Sequence, residues 1–302
     1  MPNEPIDIPR VLIAALRGGA GKTVVSIGII SALSRFGHVV SPFKKGPDYI
    51  DAGWLALAAG RPCHNLDPFL CPEDMVSGAF YHYSQNSDIS VIEGNRGLYD
   101  GLDLQGTTST AALAKKIGAP VLLCLDCTKS TRTMAAVVLG CLHFDPAVDI
   151  QGVILNRVAG ARHERIIRAS IESICGVPVI GAIPKLRTDA FPERHMGLIP
   201  TPEHELATAA IESANQTAQN HIDLERILEI ARQAAGRAVN PTPSALFRFA
   251  DAGKGVGEGA PAVPVRIGVV RDSAFQFYYP ENLEALDAAG AVLVDVSPLS
   301  NE

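Results

Sequence analysis

The sequence predicts an α/β fold built on a doubly wound, mostly parallel sheet, followed by the start of a second α/β domain. Short apolar runs rich in β-branched residues recur along the chain, and amphipathic segments of helical length separate them. Strands that are buried on both faces of a parallel sheet have such continuous apolar runs, and their alternation with helices indicates βαβ units. Ligands are then expected at the carboxyl ends of the strands.

Six apolar runs predict the strands of the main sheet. These runs are residues 11–16, 38–43, 89–94, 120–126, 150–156 and 177–183. Between several of them, apolar residues recur at helical spacing and predict helices. The predicted helices are residues 22–36, 109–117, 131–142 and 162–174.

Length and composition are those of a globular protein with a sizeable core. The chain has 302 residues, of which 47% are hydrophobic and 19% charged, and its mean hydropathy is +0.16. These values exclude a disordered, coiled-coil or collagen-like chain. A net charge of -6 excludes the broadly basic surface of a nucleic-acid-binding protein, so a polyanionic ligand would need a local basic patch.

The sequence also predicts no membrane segment and a cytoplasmic location. Its apolar runs are shorter than the roughly 18 residues of a membrane span, and residues 1–10 lack a signal-peptide pattern. The six cysteines lack the spacing of a disulfide framework. Cys124 and Cys127 form one CxxC pair at the end of an apolar run, where buried thiols are a simpler interpretation than a redox or zinc site.

A change in composition divides the chain. We expect a first domain over residues 1–236, a linker over 237–265 that is rich in Pro, Gly, Ala and Ser, and a partial second domain over 266–302. The last segment contains two apolar runs around a helix candidate at 280–289. It is too short to form a core of its own.

Residues 16–23, LRGGAGKT, join the first predicted strand to the first predicted helix. The N–H groups of a glycine-rich turn and the positive end of a helix bind phosphate oxygens, a lysine adds a cation, and a threonine hydroxyl can ligate Mg2+. Leu16 stands where the strict GxxxxGK[ST] pattern begins with glycine, so the segment predicts a deviant P-loop. The predicted nucleotide-binding residues here are Gly18, Gly19, Ala20, Gly21, Lys22, Thr23 and Val24.

Acidic residues follow the next two predicted strands. Asp48 lies in FKKGPDYID beside two lysines and can hold a metal ion, although Gly-Pro-Asp is also an ordinary turn sequence. Glu93 ends the third strand in VIEGNRGLYDG, the position of a second Mg2+ carboxylate in P-loop proteins. Arg96 and Asp100 follow in a glycine-punctuated loop that can lie along a substrate.

Four motifs together resemble the cobyrinic acid a,c-diamide synthase family. They are RGGAGKT, FKKGPDYID, NLDPF and EGNRGLYDG, and the resemblance covers about residues 11–183. It implies an enzyme, a carbon-nitrogen ligase that uses ATP and Mg2+ to amidate the a and c acetate carboxylates of cobyrinic or hydrogenobyrinic acid in cobalamin biosynthesis. Glutamine hydrolysed in a C-terminal amidotransferase domain supplies the ammonia. A relative amidates nickel sirohydrochlorin, and the motifs do not separate these substrates cleanly.

The resemblance and the motif positions also imply residue roles. Expected catalytic residues are Lys22, Lys45, Asp48, Glu93 and Asp100. Thr23, Asp48 and Glu93 are expected to hold the metal ion. Substrate contacts are expected from Tyr49, Arg96, Tyr99 and Asp100, and contacts with adenine from Asn156 and Arg157, although Asn156 can also be a helix cap. A local basic pocket for the tetrapyrrole is expected from Lys44, Lys45, Arg96 and Lys129.

The expected chemistry follows from the weakness of a carboxylate as an electrophile. We expect a substrate acetate to attack the γ-phosphate of ATP, and ammonia to open the resulting acyl phosphate. A class I glutaminase needs a cysteine nucleophile with a histidine, yet no cysteine follows Cys175 and no histidine follows His221. We therefore expect either a truncated sequence or a separate glutaminase chain, with free ammonia as the alternative nitrogen source; a homodimer is a further expected assembly.

Two other functions account for parts of the sequence. A dethiobiotin-synthetase-like enzyme would share the P-loop and the carboxylates, but it would not explain the amidotransferase-like residues near the C-terminus. A partitioning-type regulatory ATPase would share the P-loop, but its nucleotide-sensing segment would be expected where EGNRGLYDG stands.

Overall fold

The computed structural model describes residues 8–185, 193–194, 197–198, 207–236, 264–272 and 275–299. At its centre lies strand β1, Arg10–Ala15, whose six residues are all buried. Val11 and Ile13 contact the apolar core on one side of the sheet, and Leu12 and Ala14 contact the core on the other. Successive side chains of a strand point to opposite faces, so an unbroken apolar run suits a strand between two covered faces.

Seven parallel strands form the main sheet. After β1 they are β2 (Val40–Lys45), β3 (His64–Leu66), β4 (Ile89–Glu93), β5 (Val121–Asp126), β6 (Ile150–Val158) and β7 (Val179–Pro184). Their order across the sheet is β3-β2-β4-β1-β5-β6-β7. The chain therefore builds one half of the sheet and then crosses β1 to build the other, which leaves a crevice at the carboxyl end of β1.

Eight helices cover the two faces of this sheet. They are α1 (Lys22–Arg35), α2 (Tyr49–Ala59), α3 (Glu73–Ser84), α4 (Thr110–Lys116), α5 (Thr133–Phe144), α6 (Ala161–Cys175), α7 (Ala207–His221) and α8 (Leu224–Ala235). The apolar residues of α1, α2, α7 and α8 belong to one core, and those of α3 to α6 belong to the other. The predicted doubly wound α/β fold is confirmed.

Several elements were not predicted. Strand β3 has only three residues, too few for a recognisable apolar run. Helix α2 directly follows the GPD turn, and the Asp48 carboxylate accepts a hydrogen bond of 3.0 Å from the Asp51 N–H and caps the helix. Asn156 lies inside β6, so its alternative role as a helix cap is wrong.

The remaining described elements lie toward the C-terminus. Two short strands, β8 (Glu193–Arg194) and β9 (Gly197–Leu198), pair antiparallel. Strands β10 (Arg266–Val270) and β11 (Val292–Val296) pair in parallel around helix α9 (Pro280–Ala288), as the apolar runs predicted. All but the last two residues of the predicted linker over 237–265 lie outside the described residues, and the domain boundaries stay predictions.

Two further observations concern the cysteines and the helices. Cys124 and Cys127 are free and buried, and burial raises the pKa of each thiol to about 12, so both are inert at neutral pH. Among the described residues, no helix combines the length and the apolar character needed to cross a membrane.

Candidate active site

The loop between β1 and α1 forms an open cradle. Gly19 and Gly21 have φ values of +69° and +91°, a region that glycine adopts readily and other residues rarely do. A Cβ built on Gly18 or Gly19 would meet no atom within 4 Å, so the space beside the loop is free. No side chain caps the first turn of α1. Its N–H groups therefore remain available for phosphate oxygens.

Lys22 is held across this loop by two carbonyl groups. Its Nζ donates to the carbonyl oxygens of Arg17 at 3.3 Å and Arg96 at 2.9 Å. The side chain is largely buried, and burial lowers the pKa of the ammonium group even though Glu93 opposes that shift. The two carbonyl bonds aim the ammonium group across the cradle, as phosphate binding requires.

A buried charge cluster lies beside the start of α1. The Lys44 Nζ lies 2.7 Å from Asp51 Oδ2, 2.8 Å from Glu93 Oε1 and 3.8 Å from Asp48 Oδ2. The Thr23 hydroxyl donates to Glu93 Oε1 at 2.8 Å and to Asp51 Oδ2 at 3.3 Å. The cluster thus brings together three predicted site residues and adds Asp51, which the sequence analysis missed, and Lys44, which it had assigned to the tetrapyrrole pocket.

Sheet register explains why Lys44 and Glu93 meet. The two residues are direct partners in the parallel ladder between β2 and β4. Burial alone would lower the pKa of the Lys44 ammonium group, but the carboxylates of Glu93 and Asp51 outweigh it and raise that pKa. Burial likewise favours protonation of Asp51, and the Lys44 ammonium group outweighs it and lowers the Asp51 pKa. Lys44 and Asp51 therefore form an ionised pair.

The cluster fits a Mg2+ ion held together with a phosphate group. Glu93 Oε2 is buried and has no hydrogen-bond partner among the described residues, and burial raises the pKa of this carboxyl group. Across the ranges that the structure describes, no three His, Cys, Asp or Glu side chains form a closed metal-binding group. Mg2+ needs no such cage in proteins, because it binds through one or two carboxylates with water and substrate phosphates. The Thr23 hydroxyl and the unpartnered Glu93 oxygen are suitable donors.

Asn156 supports the P-loop from the side. Its Nδ2 donates to the Ala20 carbonyl at 2.9 Å, while its Oδ1 accepts from the Arg157 N–H at 2.9 Å. Arg157 in turn pairs with Asp126 at 2.7 Å, and Arg17 pairs with the same carboxylate at 3.1 Å. The amide of Asn156 is therefore engaged in bracing the loop, and contacts of Asn156 and Arg157 with adenine stay predictions.

Replacing Gly21 with alanine is expected to weaken nucleotide binding by at least about tenfold, roughly 1.4 kcal/mol. The new Cβ would lie 2.2 Å from Asn156 Nδ2, and the φ of +91° adds backbone strain of about 1–3 kcal/mol. Titration with a fluorescent ATP analogue measures the loss. Gly37 has a φ of +90° but open space around its built Cβ, so Gly37→Ala carries the strain alone and serves as control. Equal nucleotide affinity of the two variants would contradict the role of Asn156.

A cavity of about 330 Å3 opens on the other face of β2. Lys44 and Lys45 are adjacent strand residues, so their side chains point to opposite faces: Lys44 into the charge cluster and Lys45 into this cavity. Burial lowers the pKa of the Lys45 ammonium group, against the pull of Asp67. Arg96 and Asp67 also line the cavity. It therefore presents two cations and the Asp67 carboxylate beside the P-loop.

Asp100 lies at this cavity but is partly engaged. Its Oδ2 accepts a hydrogen bond of 3.0 Å from the Gly97 N–H, and the residue is exposed. Lys129, predicted for the basic pocket, is exposed in the loop after β5 and is not among the residues that line the cavity. The predicted basic pocket is therefore reduced to Lys45 and Arg96.

Tyr99 does not reach this site. Its hydroxyl donates to the carbonyl of Cys141 on α5 at 2.6 Å, and its ring lies 4.6 Å from that of Phe144. The phenol is engaged in packing helix α5, and the expected substrate contact of Tyr99 stays a prediction. The pattern RGLYDG marks a loop but does not show which of its side chains turn inward.

Tyr49 lies at a contact with the C-terminal elements. Its ring centroid is 5.5 Å from that of Phe277 and 4.7 Å from that of Tyr279, in the segment that leads into α9. The structure thus accounts for Tyr49 as a packing residue, and its contact with substrate stays a prediction. It is nevertheless the residue that follows Asp48, so this packing borders the charge cluster.

Asn65 joins the same C-terminal elements to the Asp48 loop. Its Nδ2 donates to the carbonyl oxygens of Gly46 at 2.7 Å and Asp48 at 3.1 Å. Its N–H donates to the Glu281 carboxylate at 3.2 Å. The motif NLDPF therefore contributes a residue that shapes the turn before α2, a role that its spacing alone could not reveal.

Comparisons with known proteins agree with this geometry. Residues 11–199 match the family model described as the CobQ/CobB/MinD/ParA nucleotide binding domain. A protein of Magnetococcus marinus named "Cobyrinate a,c-diamide synthase" is 46% identical over 99% of this chain and 62% of its own length. A protein of the same name from Dehalococcoides mccartyi is 40% identical over 97% of this chain and 62% of its own length.

A third relative bears a related name. The "Hydrogenobyrinate a,c-diamide synthase" of Streptomyces coelicolor is 39% identical over 98% of this chain and 65% of its own length. The chain therefore spans less than two thirds of each of these relatives. Among solved structures, chloroplast FtsY from Physcomitrella patens aligns over 68% of this chain and 65% of its own, with 17% identity and a TM-score of 0.43.

Proposed function

The chain belongs to the CobQ/CobB/MinD/ParA nucleotide-binding domain family, and on that premise we propose that it activates and amidates carboxylates of a tetrapyrrole with ATP and Mg2+. The proposed substrate is cobyrinic or hydrogenobyrinic acid, and the proposed products carry amides at the a and c acetates. The names of the three relatives support this choice of substrate. One observation carries the chemistry: the P-loop and its carboxylate cluster adjoin a cavity that contains two cations.

In this proposal the P-loop binds the phosphates of ATP. Backbone N–H groups at the start of α1 hold the phosphate oxygens, and the Lys22 ammonium group neutralises charge as the γ-phosphate is transferred. Thr23, Glu93 and Asp48 or Asp51 would hold Mg2+, and the bound ion would supply charge neutralisation at the phosphates.

Across β2, the substrate carboxylate occupies the cavity. Lys45 and Arg96 bind and orient it toward the γ-phosphate, so that attack gives an acyl phosphate and ADP. Ammonia then attacks the acyl carbon and releases phosphate. Asp100 lies at the same cavity and can accept the proton that ammonia loses. No protein nucleophile is needed in these reaction steps.

The nitrogen source belongs to the proposal as well. We propose that ammonia derives from glutamine in the whole protein, either in a further domain or in a separate chain, and that free ammonia can replace it in vitro. A homodimer is the proposed assembly. Asn65 and Tyr49 connect the described C-terminal elements to the Asp48 loop, so those elements border the site where ammonia must arrive.

An assay with free ammonia tests the function directly. The chain is incubated with Mg2+, ATP and cobyrinic acid, hydrogenobyrinic acid or nickel sirohydrochlorin, and the macrocycle is followed by mass spectrometry while phosphate release is measured. We expect two successive amidations of cobyrinic or hydrogenobyrinic acid. Amidation of nickel sirohydrochlorin alone would identify that tetrapyrrole as the substrate instead. ATP hydrolysis that responds to DNA and not to any tetrapyrrole would favour a partitioning-type ATPase and overturn the proposal.

A further inference from the structure

Large apolar side chains stand exposed at the mouth of the cavity that contains Lys45 and Arg96. Phe69 and Leu102 line this cavity, yet they are 63% and 67% exposed. Leu104, two residues further along the same loop, is fully exposed at 101%. Large apolar side chains that project together beside a charged pocket are a feature of ligand-binding surfaces.

Local hydrogen bonds fix the backbone that carries Phe69. The Asp67 carboxylate accepts hydrogen bonds from the N–H groups of Phe69 at 2.9 Å and of Leu70 at 3.3 Å. Asp67 itself is buried, and it lines the cavity as well. These bonds anchor the backbone of the short turn after β3, and the Phe69 side chain projects outward from it.

The loop that carries Leu102 and Leu104 is tied in a similar way. The Leu102 N–H donates to the Thr108 hydroxyl at 3.2 Å, and the Thr107 N–H donates to the Asp103 carboxylate at 2.9 Å. These bonds close the loop on itself, so both leucines are presented to solvent by an ordered backbone. Exposed apolar groups on an ordered loop lose no further backbone entropy when a ligand covers them.

The charged residues of the cavity indicate which kind of ligand binds against these exposed apolar side chains. Lys45 and Arg96 line the cavity beside Asp67 and Asp100, whose carboxylates accept hydrogen bonds from backbone N–H groups. Among the described residues no carboxylate forms an ion pair with either cation, so both can bind a negatively charged group. A ligand that satisfies both features has a flat apolar body and carboxylates at its edge. A tetrapyrrole polycarboxylate has this form, whereas a small carboxylic acid offers little apolar surface to cover Phe69 and Leu102.

We propose that Phe69, Leu102 and Leu104 form a platform that packs against the apolar face of the macrocycle while one peripheral carboxylate enters the cavity. This inference rests on the proposed function and deepens it. The platform selects a large tetrapyrrole over a small carboxylic acid by burying apolar surface that only the macrocycle offers. It contributes binding and not chemistry, because none of its side chains can transfer a proton.

Equilibrium binding of cobyrinic acid tests the platform. Isothermal titration of the whole chain is compared for wild type, Phe69→Gln, Leu102→Gln and Leu104→Gln. We expect each variant to weaken binding on the order of tenfold, since each loses apolar contact area with the ligand. Leu102→Met is expected to retain affinity, because it keeps an apolar side chain of similar volume. Steady-state kinetics are expected to show the loss mainly in KM.

Phe36→Gln is the matched control. Phe36 is 61% exposed, close to the 63% of Phe69, but it caps the far end of α1. That helix has 14 residues and is about 21 Å long, so Phe36 is remote from the P-loop. We expect Phe36→Gln to bind cobyrinic acid as wild type does.

The possible outcomes distinguish failure of the platform from failure of the proposed function. Wild type that binds and amidates cobyrinic acid, with unchanged affinity in all three glutamine variants, would overturn the platform and leave the proposed function intact. An equal loss in Phe36→Gln would also overturn it. Wild type that neither binds nor amidates any tetrapyrrole would overturn both. Melting temperatures of the variants, taken in parallel, show whether a loss of affinity reflects unfolding.

Discussion

Lys44→Met is expected to lower the free energy of unfolding by about 3–5 kcal/mol and to abolish turnover. The substitution removes a buried ammonium group and leaves the carboxylates of Glu93 and Asp51 without their cation. Breaking a buried ion pair from one side costs more than the pair itself contributes, because the remaining charge stays desolvated. Urea unfolding followed by circular dichroism measures the change.

The neighbouring lysine provides the control for this prediction. Lys45 is also buried, but among the described residues no carboxylate lies within ion-pair distance of it, and burial lowers the pKa of its ammonium group. Lys45→Met is therefore expected to leave the free energy of unfolding nearly unchanged while raising KM for the carboxylate substrate. Equal destabilisation by the two methionine variants would contradict the assignment of Lys44 as the cation of the cluster.

The melting temperature of Lys44→Met with and without Mg2+ is an independent test of the charge cluster. A divalent cation can replace the lost ammonium group between the carboxylates, so millimolar Mg2+ is expected to restore part of the melting temperature of Lys44→Met. Wild type, in which Lys44 already neutralises the cluster, is expected to gain less from Mg2+ without nucleotide. Identical responses of the two proteins would show that the carboxylates do not form the metal site.

Glu93→Gln is expected to reduce phosphate release with cobyrinic acid on the order of 100- to 1,000-fold. The amide oxygen can take the place of Oε1 and keep the bonds from Thr23 and Lys44, so the local geometry is retained. The substitution removes the negative charge and the buried Oε2, which has no hydrogen-bond partner among the described residues. Electron paramagnetic resonance of Mn2+ with nucleotide present measures the accompanying loss of metal affinity.

A glutamate on the surface provides the control for Glu93→Gln, because it shows what loss of a carboxylate outside the site does to phosphate release. Glu164 pairs with Arg168 on α6, a partly exposed pair at i,i+4 spacing that contributes at most about 0.5 kcal/mol. Glu164→Gln is expected to release phosphate at the wild-type rate. Retention of metal affinity and phosphate release in Glu93→Gln would remove Glu93 from the metal site.

The resemblance to the cobyrinic acid a,c-diamide synthase family, based on four motifs, is confirmed by the named relatives. The sequence also predicted the sheet well, because strands buried on both faces leave unbroken apolar runs such as that of β1. It failed at β3, where three residues carry no periodic signal, and at α2, where Asp48 opens a helix in a sequence that also suits a turn.

Site residues, too, were predicted where the signal is contiguous in the sequence and were missed where distant segments meet. Lys22 and Thr23 could be assigned because a strand, a glycine-rich turn and a helix are contiguous in the sequence. The adjacent lysines of FKKGPD could not be separated in this way: both were placed in the basic pocket, and only Lys45 was expected to be catalytic. Alternation along β2 sends the two ammonium groups to opposite faces, and pairing with β4 places Lys44 beside Glu93.

The sequence by itself determined the fold class, the family and the residue types available for phosphate and carboxylate chemistry, since these depend on local periodicity and contiguous motifs. Tertiary structure alone decided which of those residues meet. Asp51 joined the charge cluster, Tyr99 turned away to α5, and Asn156 came to brace the P-loop. Such contacts depend on register and packing between segments far apart in the chain, and their energies are absent from any single stretch of sequence.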